Sequence, residues 1–200
     1  MEMQIFEQIK ETCQKKKVIS LCNKLIKKCS FGSGADCENL CHLAYRLYVY
    51  GEKQLAMQCI ALTHDVPFTK NYNVWTFIHD MWGLEMRLLR EQGKEADAQK
   101  IAETMNIHLL TPGKIDTPER VPAKEERRRS RFTYEDTIKK EKIEYHEREG
   151  NATDANAWRF IALLRMIGNT ETGFYPQLNE HKAQIEEKIT EYIEILAKIK

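Results

Sequence analysis

Long apolar runs are missing from this chain. No stretch approaches the ~20 consecutive apolar residues that a membrane-spanning helix needs. A surplus of charge of one sign is missing too: Lys and Arg number 31 and Asp and Glu number 30, leaving a formal net charge of +1. Nothing global therefore draws the chain toward nucleic acid or a lipid surface. The first residues, MEMQIFEQIKETCQKKK, are acidic and polar where a secretion signal needs a basic end and an apolar stretch. The expectation is a cytoplasmic protein with no membrane association.

Catalytic signatures are equally scarce. There is no glycine-rich phosphate loop, no G-x-S-x-G turn, no H-E-x-x-H and no calcium loop. His79 and Asp80 lie beside Trp75 and Trp82, and an imidazole near a carboxylate can be tuned for proton transfer, but neighbours in a helix do not face each other. No C-x-x-C pair occurs among the six cysteines, Cys13, Cys22, Cys29, Cys37, Cys41 and Cys59. Cys37, Cys41 and His42 invite a zinc reading, because residues four apart share a helical face, yet Cys22, Cys29, Cys37 and Cys41 match no common structural-zinc spacing. A chain of 200 residues is long enough to fold on its core without disulfides. The expectation is free thiols, no metal and no cofactor.

What is present is helical periodicity, supported by 42% apolar residues. Ile5 and Ile9 begin one stripe, and Ile19, Cys22, Leu25, Ile26 and Cys29 another, so the chain opens with a helix or a helix pair. SFGSGADCEN interrupts it, with Ser33 or Asp36 available to cap the next helix. Leu40, Leu43, Ala44 and Leu47 then share a face, Gly51 ends that helix, and Leu55, Ala56, Cys59 and Ile60 return. After DVPFTKNYN the pattern repeats: Val74, Trp75, Ile78, Met81, Trp82, Leu84, Leu88 and Leu89 precede Gly93, and Ala98, Ile101, Ala102 and Met105 follow it. Glycine takes the left-handed conformation that ends a helix, and a small alanine five residues later lets the second helix approach the first.

These residues resemble the tetratricopeptide repeat, in which a glycine at the inter-helix turn precedes a small alanine by five positions. Leu40, Leu43, Ala44 and Leu47 match its first-helix packing positions, Trp82 its aromatic position, and Pro67 and Pro112 lie near its closing proline. The chain departs from the pattern at Lys53 and Glu95, where the family has tyrosine. It departs also in the interval from Gly51 to Gly93, 42 residues against ~34 in the family. The resemblance covers about residues 36–110 and implies stacked antiparallel helix pairs with a concave binding surface; an irregular helical bundle is the alternative.

Further on, Gly150 and Ala155 repeat the spacing by design or coincidence, with Thr153 or Asp154 as a cap for ANAWRFIALLRMIG. Leu178, Ile185, Ile189, Tyr192, Leu196 and Ile199 form the stripe of an amphipathic C-terminal helix, which either caps the stack or docks on another chain. Pro112, Pro118 and Pro122 prevent a continuous helix between the halves. The expected organisation is a helical-hairpin block over residues 1–110, a Pro- and Arg-containing linker over 111–131, and a helical block over 132–200 packing on the first, forming one all-α domain. Arg127, Arg128, Arg129 and Arg131 could grip an acidic surface or phosphate, although Glu125 and Glu126 adjoin them and no aromatic residues interleave.

The function expected is that of a non-enzymatic protein-binding module: a scaffold, an adaptor or an inhibitor such as a toxin-neutralising immunity protein. The partner is another protein. Tyr45, Tyr48, Phe77 and His79 on the first helices are the expected anchors and Arg127, Arg128, Arg129 and Arg131 a charged rim. A small helical enzyme, or a nucleic-acid-associated protein using the arginine run, are the alternatives.

Overall fold

The computed structural model describes residues 2–27, 29–68, 71–110, 147–171 and 180–198. Among them are eight α-helices and no strand: α1 Glu2–Thr12, α2 Lys16–Lys27, α3 Gly34–Val49, α4 Lys53–Ala61, α5 Tyr72–Glu91, α6 Glu95–Leu110, α7 Ala152–Glu171 and α8 Lys182–Ala197. The all-α expectation is met. The chain divides into two compact units, residues 1–98 and 99–199, and the division falls inside α6, ahead of the proline-containing segment. Residues 111–131 lie outside the described residues, as do Arg127, Arg128, Arg129 and Arg131.

In the first unit the opening is a pair of helices. The break at residues 13–15 shifts the register, so α2 buries Val18, Leu21, Cys22 and Leu25, with Ile19 and Ile26 half-buried at the edges of that stripe. Ser33 is the N-cap of α3: its φ of −99° and ψ of 123° lie outside the helical region, and its hydroxyl accepts from the Asp36 amide at 3.5 Å. Asp36 instead turns its carboxylate to the Ser30 amide at 2.9 Å.

The core centres on α3, which packs against α2, α4 and α5. A helix contacted on three sides has no polar face to spare, and α3 buries every residue from Leu43 to Val49. The hydroxyl of buried Tyr45 donates to the Asp80 carbonyl at 2.6 Å.

Two corners reverse the chain by the same device. Gly51 and Gly93 have φ of +85° and +74°. At the first, the Gly51 amide donates to Tyr48 O at 3.0 Å and the Glu52 amide to Leu47 O at 2.8 Å; at the second, the Gly93 amide donates to Arg90 O and the Lys94 amide to Leu89 O, both at 2.9 Å. This paired closure of orphan carbonyls is the Schellman motif. Ala56 and Ala98, five residues on, have no exposed surface. A β-carbon added at either glycine would meet nothing within 4 Å. The requirement for glycine therefore comes from backbone conformation alone.

In the second unit α7 packs against α8. Gly150, with φ +69°, repeats the corner conformation, and Ala155 is fully buried. The cap of α7 is Asn151, two residues before the expected Thr153 and three before Asp154: its carbonyl oxygen accepts from the Asp154 amide at 3.2 Å while its amide donates to the Asp154 carboxylate at 2.9 Å. Phe160, Leu163 and Leu164 from α7 and Ile185, Ile189 and Leu196 from α8 are buried. Leu178 and Ile199 of the expected stripe lie outside the described residues.

Candidate functional site

The amino-terminal half of α5 carries an aromatic cluster. Trp75 and Trp82, seven residues apart, share a face and meet edge to face at 5.8 Å between ring centroids. Phe68, from the loop before α5, approaches Trp75 edge-on at 4.7 Å and lies nearly parallel to the His79 ring at 6.3 Å. The His79 ring stands 5.4 Å from that of Trp75 and 5.7 Å from that of Trp82. The Trp82 indole N–H donates to Thr63 Oγ1 at 3.0 Å, and the Thr63 hydroxyl donates to Ile60 O at 2.7 Å. Both ends of that short chain are buried, so the loop after α4 is tied to α5 through a satisfied polar link.

Beside it lies an imidazole–carboxylate pair that no sequence spacing announces. His64 Nε2 is 2.8 Å from Glu85 Oε2, with Glu85 buried and His64 exposed. The hydrogen bond to Glu85 holds the imidazolium above its ordinary range, opposed by partial burial and aided by the charges of Glu85 and Asp65. The neighbouring hydroxyl, Thr63, is fully buried and committed at both of its bonds. The pair thus fastens a loop to a helix.

An open groove of about 1160 Å³ runs along this edge of the unit. Gln4, Ile5 and Gln8 of α1 form one wall; Gln58, Ala61 and Leu62 come from the end of α4; Asp65, Val66 and Pro67 come from the loop that follows. Phe31 and Gly32 close one side, and Asn71, Val74 and Trp75 the other. The described lining residues supply apolar surface, four primary amides and one carboxylate, and no thiol, hydroxyl, imidazole, lysine or arginine.

At its other end α5 is locked by charge. The Tyr48 hydroxyl donates to Glu91 Oε1 at 2.6 Å and accepts from Arg87 Nε at 2.9 Å, while Lys53 Nζ is 2.7 Å from Glu91 Oε2. Burial and the hydrogen bond to Glu91 push the Tyr48 phenol up to about 12. For Glu91, burial works against ionisation, but the bonds from Lys53 and Tyr48 outweigh it and hold the carboxyl below its ordinary value.

Of the residues expected to form an interaction face, Tyr45, Tyr48, Phe77 and His79 are among the described residues. Tyr45 and Tyr48 are core residues, 2% and 6% exposed, whose hydroxyls serve internal bonds, and they do not act as projecting anchors. Phe77 is half-buried; His79 is half-buried against the ring of Trp75, which does reach the groove. Asp80 is 3% exposed. Arg127, Arg128, Arg129 and Arg131 lie outside the described residues. The six cysteines are free, with Cys29 half-buried and the others buried. Burial pushes the Cys22 and Cys37 thiols up to about 12. Among the described residues no group of three or more metal-ligating side chains converges, and no helix is long and apolar enough to cross a membrane.

No curated protein and no solved structure matches the chain. The profile of a family of unknown function, DUF6707, matches residues 2–198, and a helical protein with this groove at the edge of its first unit belongs to that family.

Proposed function

We propose that this protein is a non-enzymatic protein-binding module whose groove between α1, α4 and the start of α5 receives a segment of a partner protein. One observation carries the reading: the groove is large, at about 1160 Å³, and lined by apolar surface interspersed with amides. Its volume exceeds the ~300–1,000 Å³ of a small-molecule site. Gln4, Gln8 and Asn71 can each donate and accept, which suits the backbone of a peptide better than a small apolar ligand. Tetratricopeptide-like helix pairing supplies the rigid frame, and six free thiols suit a reducing, cytoplasmic setting.

A photo-reactive amino acid incorporated at Gln8, which lines the groove, and separately at Lys24, an exposed residue of α2, tests the reading in the source cell. Cross-linking of one protein in stoichiometric amount from position 8 and not from position 24 is the expected result. Equal labelling from both positions, or recovery of nucleic acid alone, overturns it.

A further inference from the structure

Among the described residues, the charge lining the groove is one-sided. Asp65 is the only ionisable group among the described residues that line it. The adjacent His64 is held by Glu85 at 2.8 Å, so the corner contains two acids and one base. Whether the imidazole is charged or neutral, these three groups together carry a net negative charge. A cation entering beside Asp65 meets attraction in either state, and an anion meets repulsion.

Hydrogen-bonding capacity leans the same way. Gln58 lines the groove, and its Oε1, buried from solvent, accepts no hydrogen bond among the described residues. That oxygen has no surface open to the groove, so as placed it is not offered to an occupant. The Asp65 carboxylate is exposed and, when ionised, can only accept. It stands at the α4 side of the groove, while half-buried Ile5 and Phe31 present apolar surface across from it.

We propose that the groove takes a segment of a partner protein in which a lysine or arginine stands beside large apolar residues, the cation pairing with Asp65 and the apolar residues packing on Ile5 and Phe31. This rests on the reading of the protein as a peptide-binding module and adds the chemistry of the peptide. Acidic segments and nucleic acid are rejected by the same carboxylate that attracts the basic one.

Panning a library of random dodecapeptides on the full chain tests it, followed by titration of a synthesised winner. Enriched sequences should place Lys or Arg next to Leu, Ile, Phe or Trp. Asp65→Asn should weaken the winner by about 1.5- to 5-fold, the range of an exposed ion pair. Asp65→Lys should weaken it by about tenfold or more, and panning on Asp65→Lys should select acidic peptides instead. Ala61→Trp fills the groove from an exposed helix position and should abolish binding while circular dichroism remains native. If no peptide is enriched, or Ala61→Trp leaves affinity unchanged, the binding-module reading fails and the inference with it. If Ala61→Trp blocks binding but Asp65→Lys has no effect, or the winners lack basic residues, only the inference fails. A dimer in sedimentation that Ala61→Trp dissociates would assign the groove to a second copy and overturn the inference.

Discussion

At its Trp75 end α5 meets rings, a loop and an open groove; at its Glu91 end its own Arg87 and Glu91 join Lys53 and the phenol of Tyr48. The first end is held by shape and by polar links that include Trp82 to Thr63, His64 to Glu85 and Tyr45 to the Asp80 carbonyl. The second is held by a connected network whose members constrain one another. A helix fixed in this way has one end that must stay rigid and one whose surroundings still offer acceptors and apolar surface to something else. Both ends build the fold, and the Trp75 end also borders the proposed site.

The largest effect should come from the aromatic end. Trp82→Ala removes a buried indole and the N–H that donates to Thr63 Oγ1, and should cost about 3–5 kcal/mol in urea denaturation. A loss below ~1 kcal/mol would mean that the rings are not part of the core. Next come the corners: Gly51→Val and Gly93→Val should each cost about 1–2 kcal/mol, with alanine close behind, since left-handed backbone and not steric crowding sets the cost. A wild-type melting temperature in both valine variants would dismiss the corner geometry. Tyr48→Phe should follow at about 1 kcal/mol, by removing the hydroxyl that joins Arg87 to Glu91.

Two pH profiles sharpen the comparison with smaller effects. The carboxyl of Glu91 is depressed, so its contribution is present above the ordinary value near 4.5 and lost as pH falls through the lower, folded value. In Glu91→Gln the acid limb of the stability curve should flatten. His64 is raised, so its contribution is full below about 6.5 and fades as pH rises through the higher folded value. The melting-temperature gap between wild type and His64→Gln should therefore narrow from pH 6 to pH 9. A gap that widens over that range would show that the pair with Glu85 is not what ties the loop.

Local grammar carries across from sequence to structure better than surface assignment does. The Gly51 and Gly93 corners, with buried Ala56 and Ala98, follow from a pattern of six consecutive residues, and the shared face of Trp75 and Trp82 follows from helical period alone. Tyr45 and Tyr48 went astray because an amphipathic reading assumes an exposed face, and α3 is enclosed by α2, α4 and α5. Their hydroxyls are satisfied 35 and 43 residues away, beyond any spacing rule. The groove is still less accessible to such reasoning: it gathers residues from α1, the loop before α3, α4, the loop after it and α5. His64 and Glu85, 21 residues apart, meet only because the loop folds back on the helix. The cap of α7 at Asn151 displaced Thr153 and Asp154 because capping depends on where the backbone leaves helical φ and ψ, which side-chain type alone does not specify.

The open space at the glycine corners also bears on how the family can diverge. A β-carbon at Gly51, Gly93 or Gly150 would meet nothing within 4 Å, so what these sites constrain is the handedness of the backbone. Asparagine, the L-residue most at home in left-handed backbone, is the replacement that drift can reach there, and β-branched residues are barred. Other members should therefore mark the ends of their helices with Gly or Asn in register with these three positions, which makes the corners a ruler for aligning chains whose core residues have been exchanged. A folded member with valine or isoleucine at two of the three would show that its hairpins turn by some other means.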